Sequence, residues 1–159
     1  MKSLYLIRHA KAMPATRSMT DVDRPLDERG ERDAKMLGKR LRHDRLQVDL
    51  MISSPARRAL ATARIIAHKL VRDDSGIIID DRIYASDADT LMRIICETNP
   101  KVDALMLFGH NPEFSTLAHR LCEEIDDMPT CALARFRFDV AAWAEIGRAP
   151  PVDAYLEAP

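Results

Sequence analysis

The stretch Ser3-Leu4-Tyr5-Leu6-Ile7-Arg8-His9-Ala10-Lys11-Ala12 decides how the chain is read. Its apolar, partly β-branched run has the length of a strand and breaks abruptly into a charged pair. That is the pattern of a buried strand whose carboxyl end opens into a site. Taken alone, the pair reads as a surface arginine and a satisfied loop histidine. Three later segments repeat the pattern and shift that balance. Val48 to Ser53 runs into Ser54-Pro55-Ala56-Arg57-Arg58-Ala59, and Ile77-Ile78-Ile79 exits through Asp80-Asp81-Arg82-Ile83-Tyr84. Val102 to Phe108, the most apolar run, ends in Gly109-His110-Asn111-Pro112-Glu113.

Between these strands lie helical patterns. Asp27 is placed to cap a helix running to about Asp44, with Ala34, Leu37 and Leu41 as its inner face and Glu31, Arg32, Lys35, Lys39 and Arg42 as its wet one. Ser54 as cap and Pro55 at the first position start a second helix, with Ala59, Ala63, Ile66 and Leu70 as its buried stripe. Ser86 caps a third helix that buries Leu91, Ile94 and Ile95 and stops near Asn99-Pro100. Asn111 and Pro112 open a fourth, through about Cys122. Cys131 to Phe138 alternates as a strand, and Val152 to Leu156 reads as an edge strand. Four alternations of strand and helix predict an α/β fold: a three-layer sandwich with a mostly parallel central sheet and helices on both faces.

Length and composition agree. A chain of 159 residues buries one good core and is read as a single domain, residues 1–159. With 47% hydrophobic and 31% charged residues it is globular, and no apolar run reaches the ~20 residues of a membrane span. A soluble, cytoplasmic protein is expected, with no membrane partner. The formal charge of -1 gives no reason to expect nucleic acid as a partner. Cys96, Cys122 and Cys131 lack close pairing, which argues against a disulfide framework and a cysteine zinc site. The oligomeric state is left open.

In parallel sheets, ligands bind beyond the carboxyl ends of the strands. Arg8-His9, Arg57 and His110 are therefore expected at one edge. Arg57 and its neighbour Arg58 stand in the first turn of a helix, where the dipole disfavours cations by about 0.3–1 kcal/mol; a bound anion removes the conflict. Two fixed cations and two imidazoles without a carboxylate cluster suit a phosphoryl group, whose oxygens match the guanidinium fork. An unshifted imidazole, pKa ~6.5, is largely neutral at pH 7 and can attack phosphorus while the other groups hold the oxygens. No cofactor or metal is required.

Four motifs in order, Leu6-Ile7-Arg8-His9-Ala10, Arg24-Pro25-Leu26 with Arg29-Gly30, Ser53-Ser54-Pro55 with Arg57 and Thr62-Ala63, and Gly109-His110-Asn111-Pro112, resemble the histidine phosphatases of the phosphoglycerate mutase-like superfamily, in particular its small SixA-like branch. The resemblance covers nearly the whole chain. It implies that His9 is the nucleophile and becomes a phosphohistidine intermediate, that Arg8, Arg57 and His110 form the phosphate pocket, and that Arg24 and Asn111 help bind substrate. Ala10 stands where most of the superfamily has Gly, although Ala is common in the small branch. The long insertion and general-acid Glu of the larger members have no counterpart here. Asp80, Asp81, Asp87 and Asp89 are the nearest acids, and strand exits and helix caps account for them.

An acid-poor site suits a phosphohistidine-bearing protein as partner, because its leaving nitrogen needs no acid from the enzyme. Small phosphoesters, a phosphate-binding module without turnover, and a zinc hydrolase using His9 and His110 are the competing readings.

Overall fold

Alternation along each apolar run builds the molecule. In β1 (Lys2–Arg8), Leu4 and Leu6 enter one buried cluster while Tyr5 and Ile7 enter another. In β4 (Ala104–Gly109), Leu105 and Leu107 point one way, Met106 and Phe108 the other. Successive side chains leave opposite faces of a strand, so continuous apolar runs must be covered on both sides. One face takes α1 (Glu28–His43) and α2 (Arg57–Lys69); the other takes α3 (Ala88–Cys96) and α4 (Glu113–Leu121). Phe108, Phe114 and Trp143 are fully buried, each contributing about 1.5–3 kcal/mol of apolar transfer. The computed structural model describes residues 1–159, the side chain of Asp74 excepted.

The six-stranded sheet also contains β2 (Leu50–Ser53), β3 (Ile77–Ile79), β5 (Leu133–Phe138) and β6 (Asp153–Glu157), in the order β3-β2-β4-β1-β5-β6. The first four in that order run parallel; β5 is antiparallel to β1, and β6 is antiparallel to β5. The α/β sandwich with a mostly parallel sheet is therefore the observed fold, and β6 is the anticipated edge strand. At the other edge Ile78 and Ile79 are half exposed. No helix among the described residues is long and apolar enough to cross a membrane.

Register fixes the site. Arg8 pairs with Gly109, so His9 and His110 leave adjacent strands side by side, and the His9 amide donates to the Gly109 carbonyl at 2.9 Å. At the opposite end of β1 the buried Lys2 amine donates to the carbonyls of Pro100 and Val102 and to Asp103, at 2.5, 2.8 and 2.8 Å. Gly30, in the first turn of α1, lies against the loop after β1: a Cβ there would stand 2.0 Å from the Lys11 carbonyl oxygen.

Helix starts depart from expectation in three places. Asp27 does cap α1, accepting from the Gly30 amide at 2.7 Å. But α2 begins at Arg57, with Ala56 in the flanking position and no side-chain cap. Ser54 instead accepts from the Ala56 amide at 3.2 Å and turns its hydroxyl to His110. Asp87, not Ser86, caps α3 through the Thr90 amide at 2.7 Å, the stronger carboxylate acceptor taking the position. At α4, Pro112 flanks the first turn, and Asn111 Oδ1 accepts from the Ser115 amide at 3.2 Å.

Candidate active site

His9 is nearly buried at the carboxyl end of β1, and its Nδ1 lies 2.7 Å from the Ala10 carbonyl. A carbonyl only accepts, so Nδ1 carries the proton and Nε2 presents its lone pair. Burial lowers the pKa of His9 to about 4, and the neighbouring Arg58, Arg8 and Arg24 charges push the same way against the Ala10 contact. His110, 7% exposed, stands with its ring centroid 5.2 Å from that of His9. Burial, with His9 and Arg58 adding, lowers its pKa to about 3. Its Nε2 meets Ser54 Oγ at 2.8 Å, while its Nδ1 is buried with no partner among the described residues. Both imidazoles are neutral at pH 7.

The arginine beside His9 is Arg58, not Arg57. Arg58 is 6% exposed, and its Nε–H donates to His9 Nε2 at 3.4 Å. Arg57 is exposed and takes part in none of the hydrogen bonds or ion pairs of the described residues. Adjacent helical residues project about 100° apart. With α2 starting at Arg57, the inward stripe is Arg58, Ala59, Thr62, Ala63 and Ile66. The sequence holds that signal: Arg58 lies one turn before Thr62 and beside Ala59, both on the side toward the sheet, whereas Arg57 lies off it. Thr62 Oγ1 secures the junction, accepting from the Ala10 amide at 3.0 Å and donating to the Arg58 carbonyl at 2.8 Å.

Asp21, three residues before Arg24, is a hub. Its carboxylate accepts from Arg24 Nη1 at 3.0 Å, Arg58 Nη2 at 3.1 Å and the Tyr84 hydroxyl at 2.7 Å. Its own carbonyl takes Arg58 Nη1 at 2.8 Å. The Tyr84 hydrogen bond, with those from Arg24 and Arg58, holds the Asp21 carboxyl well below the usual carboxylate range. The Tyr84 ring meets His110 edge-on at 5.7 Å. Arg24 also donates through Nε to the Met13 carbonyl at 2.8 Å.

Arg8 donates through Nη1 to the Met128 carbonyl at 2.9 Å, and its buried Nε has no partner among the described residues. Asn111 shares that carbonyl, donating from Nδ2 at 2.9 Å, and its Oδ1 accepts from Ser115 Oγ at 2.9 Å. Its contacts thus tie the start of α4 to the Met128 turn, with none to His9. Cys131, at φ 60°, donates its amide to the carbonyls of both Arg8 and His9, at 3.2 and 3.0 Å.

Of the four acids that follow β3, three are engaged elsewhere. Asp80 pairs with Arg82 at 2.8 Å, Asp87 caps α3, and Asp89 pairs with Arg120 at 2.8 Å. Among the described residues no group of three or more His, Cys, Asp or Glu side chains is arranged to hold a metal ion. His9 and His110 therefore have no third ligand, as a zinc hydrolase would need.

A family model for the histidine phosphatase superfamily, branch 1, matches residues 4–86, a span that holds β1, Arg24 and Arg58. The chain belongs to the histidine phosphatase superfamily. An uncharacterized protein of Mycobacterium tuberculosis is 34% identical to this histidine phosphatase superfamily member over 112 residues, 70% of this chain and 67% of that protein. Phosphoserine phosphatase 1 of Hydrogenobacter thermophilus is 34% identical over 91 residues, 54% of this chain and 42% of that protein. Among solved structures, a protein assigned as phosphohistidine phosphatase SixA from Agrobacterium tumefaciens superposes with a TM-score of 0.83 at 26% identity, covering 99% of this chain and 98% of that one. The protein histidine phosphatase SixA complexed with tungstate shares the fold, with a TM-score of 0.78 at 20% identity over 98% and 94% of the two chains. The phosphoglycerate mutase-like fold and phosphatase chemistry are properties of this group.

Proposed function

We propose that the protein dephosphorylates phosphohistidine on a protein partner, through a covalent phosphohistidine intermediate on His9. The observation that carries this reading is the His9 Nε2 lone pair, fixed by the Nδ1 contact to Ala10 and faced by Arg58 at 3.4 Å. A neutral, oriented imidazole beside a guanidinium is a nucleophile next to an oxyanion clamp. Nε2 attacks phosphorus in line, a bond forms between them, and the bond to the leaving imidazole breaks. Water then attacks phosphorus, the His9–phosphorus bond breaks, and inorganic phosphate departs with the free enzyme restored.

Arg58 and Arg8 neutralise the developing charge on the equatorial oxygens. His110 adds a neutral imidazole, whose Nε2 shares a hydrogen bond with Ser54 Oγ at 2.8 Å and whose Nδ1 has no partner among the described residues. Asp21 is held ionised and Asp80, Asp87 and Asp89 are engaged, so none of these four is poised to protonate a leaving alkoxide. An imidazole leaving group is protonated from solvent and departs without that help. The likeness to the Agrobacterium SixA protein supports the same substrate class. A small phosphoester is the second reading, favoured by the likeness to Phosphoserine phosphatase 1.

Turnover of a phosphohistidine protein, phosphoramidate and a panel of phosphoesters by one preparation tests the proposal. Phosphoramidates should be hydrolysed at least about 100-fold faster than phosphoesters, and His9→Ala should abolish both turnover and the acid-labile phosphoenzyme. Activity retained in His9→Ala overturns the mechanism. A preference for phosphoesters overturns the substrate assignment.

A further inference from the structure

Taking the cradle as a phosphoryl site, its charge balance has an unexpected member. Arg8, Arg24 and Arg58 carry fixed positive charge, and both histidines are neutral at pH 7. Asp21 is an anion among them, its carboxylate on Arg24, Arg58 and Tyr84 at 3.0, 3.1 and 2.7 Å. Asp127 lies near Arg8 as well, so Asp21 is the carboxylate in direct contact with two of the three guanidiniums and not their sole counter-charge. Asp21 also takes both terminal nitrogens of Arg58, one on its carbonyl and one on its carboxylate, leaving the Nε edge turned to His9.

We infer that Asp21 sets the anion affinity of this cradle: its carboxylate offsets guanidinium charge, holds Arg58 edge-on to His9, and weakens the grip on product phosphate. Three bare guanidiniums around one phosphoryl site would retain phosphate after each turnover. A carboxylate already seated among them lowers that affinity while keeping every guanidinium charged and aimed. Asp21 is in this sense a positioning and affinity-setting residue, touching the groups that hold the substrate.

Calorimetric binding of inorganic phosphate to the full chain, at pH 7.5 and fixed ionic strength, tests the inference without needing turnover. Asp21→Asn keeps the shape and removes the charge, so phosphate should bind about ten-fold more tightly, the order one charge carries at this range. Asp21→Ala provides a second charge-removing variant and should shift in the same direction. Asp21→Glu keeps the charge and should bind phosphate within about three-fold of the native protein. In turnover, kcat and KM should fall together in Asp21→Asn as phosphate release becomes limiting, which a merely structural lesion would not produce. Phosphate affinity unchanged or weakened in both charge-removing variants overturns the inference. A native protein that binds no phosphate overturns the reading of the cradle itself, and the inference with it.

Discussion

His9 and His110 emerge from neighbouring parallel strands with their ring centroids 5.2 Å apart because the residues just before them, Arg8 and Gly109, are register partners. Two imidazoles far apart in sequence are thereby held by backbone hydrogen bonds rather than by flexible loops. Such rigidity is what in-line phosphoryl transfer demands, since the protein contributes mainly position and charge.

The two adjacent arginines of α2 should separate cleanly in kinetics. Arg58→Ala removes the guanidinium at 3.4 Å from His9 and should lower kcat/KM by about 100-fold or more, the usual effect of deleting an oxyanion donor. Arg57→Ala, at an exposed position, should change it by less than about three-fold. Steady-state assays of the two variants with phosphoramidate check this.

The buried imidazoles make stability pH-dependent. The folded pKa of His9 is about 4, against about 6.5 for an unfolded histidine, so between those values the unfolded chain binds more protons. Stability is therefore full above pH 6.5 and falls as the pH drops toward 4. The contribution from His9 between pH 7 and pH 5 is on the order of 2 kcal/mol. Urea unfolding midpoints at the two pH values measure it, and His9→Gln should shrink the difference.

Gly30→Ala should be among the most damaging single-methyl additions. Its Cβ would collide with the Lys11 carbonyl oxygen at 2.0 Å, and backbone cannot step aside as a side-chain tip can. A loss of about 2 kcal/mol or more is expected in chemical denaturation, with reduced activity because the loop bearing Asp21 and Arg24 is anchored there.

Asp27→Ala removes the α1 cap and a long, half-exposed ion pair with Lys11, and should cost about 1 kcal/mol, lowering Tm by roughly 2–4 °C in a chain of this size. Turnover at 25 °C should be unaffected, since Asp27 acts on the helix and not on the cradle. Thermal melts paired with activity assays separate the two effects.

What could be read before the structure was local or periodic. The strand ends, the apolar run of β1, the Asp27 cap and the final edge strand all follow from neighbours in sequence. Arg58 shares the inner face of Ala59, Ala63 and Ile66, and that phase, not distance from the strand end, decides which arginine faces inward. Ser54 meets His110, 56 positions away, and does not cap the helix. The Asp21–Arg58 and Asp21–Tyr84 contacts span 37 and 63 positions and follow no period. Such polar meetings depend on tertiary placement, which composition and spacing do not encode.

A strand that is apolar on both faces can slide along its neighbours without exposing anything, so hydrophobic burial does not choose the alignment of β1 against β4. The choice falls to polar anchors, and Lys2 is one: its amine is satisfied only where Pro100, Val102 and Asp103 present their oxygens. A slip by two positions would strand that buried charge and carry His9 about 6.6 Å past His110. A lysine at the far end of the strand, about 23 Å along the chain from the chemistry, thus acts as the index mark that brings the two imidazoles level.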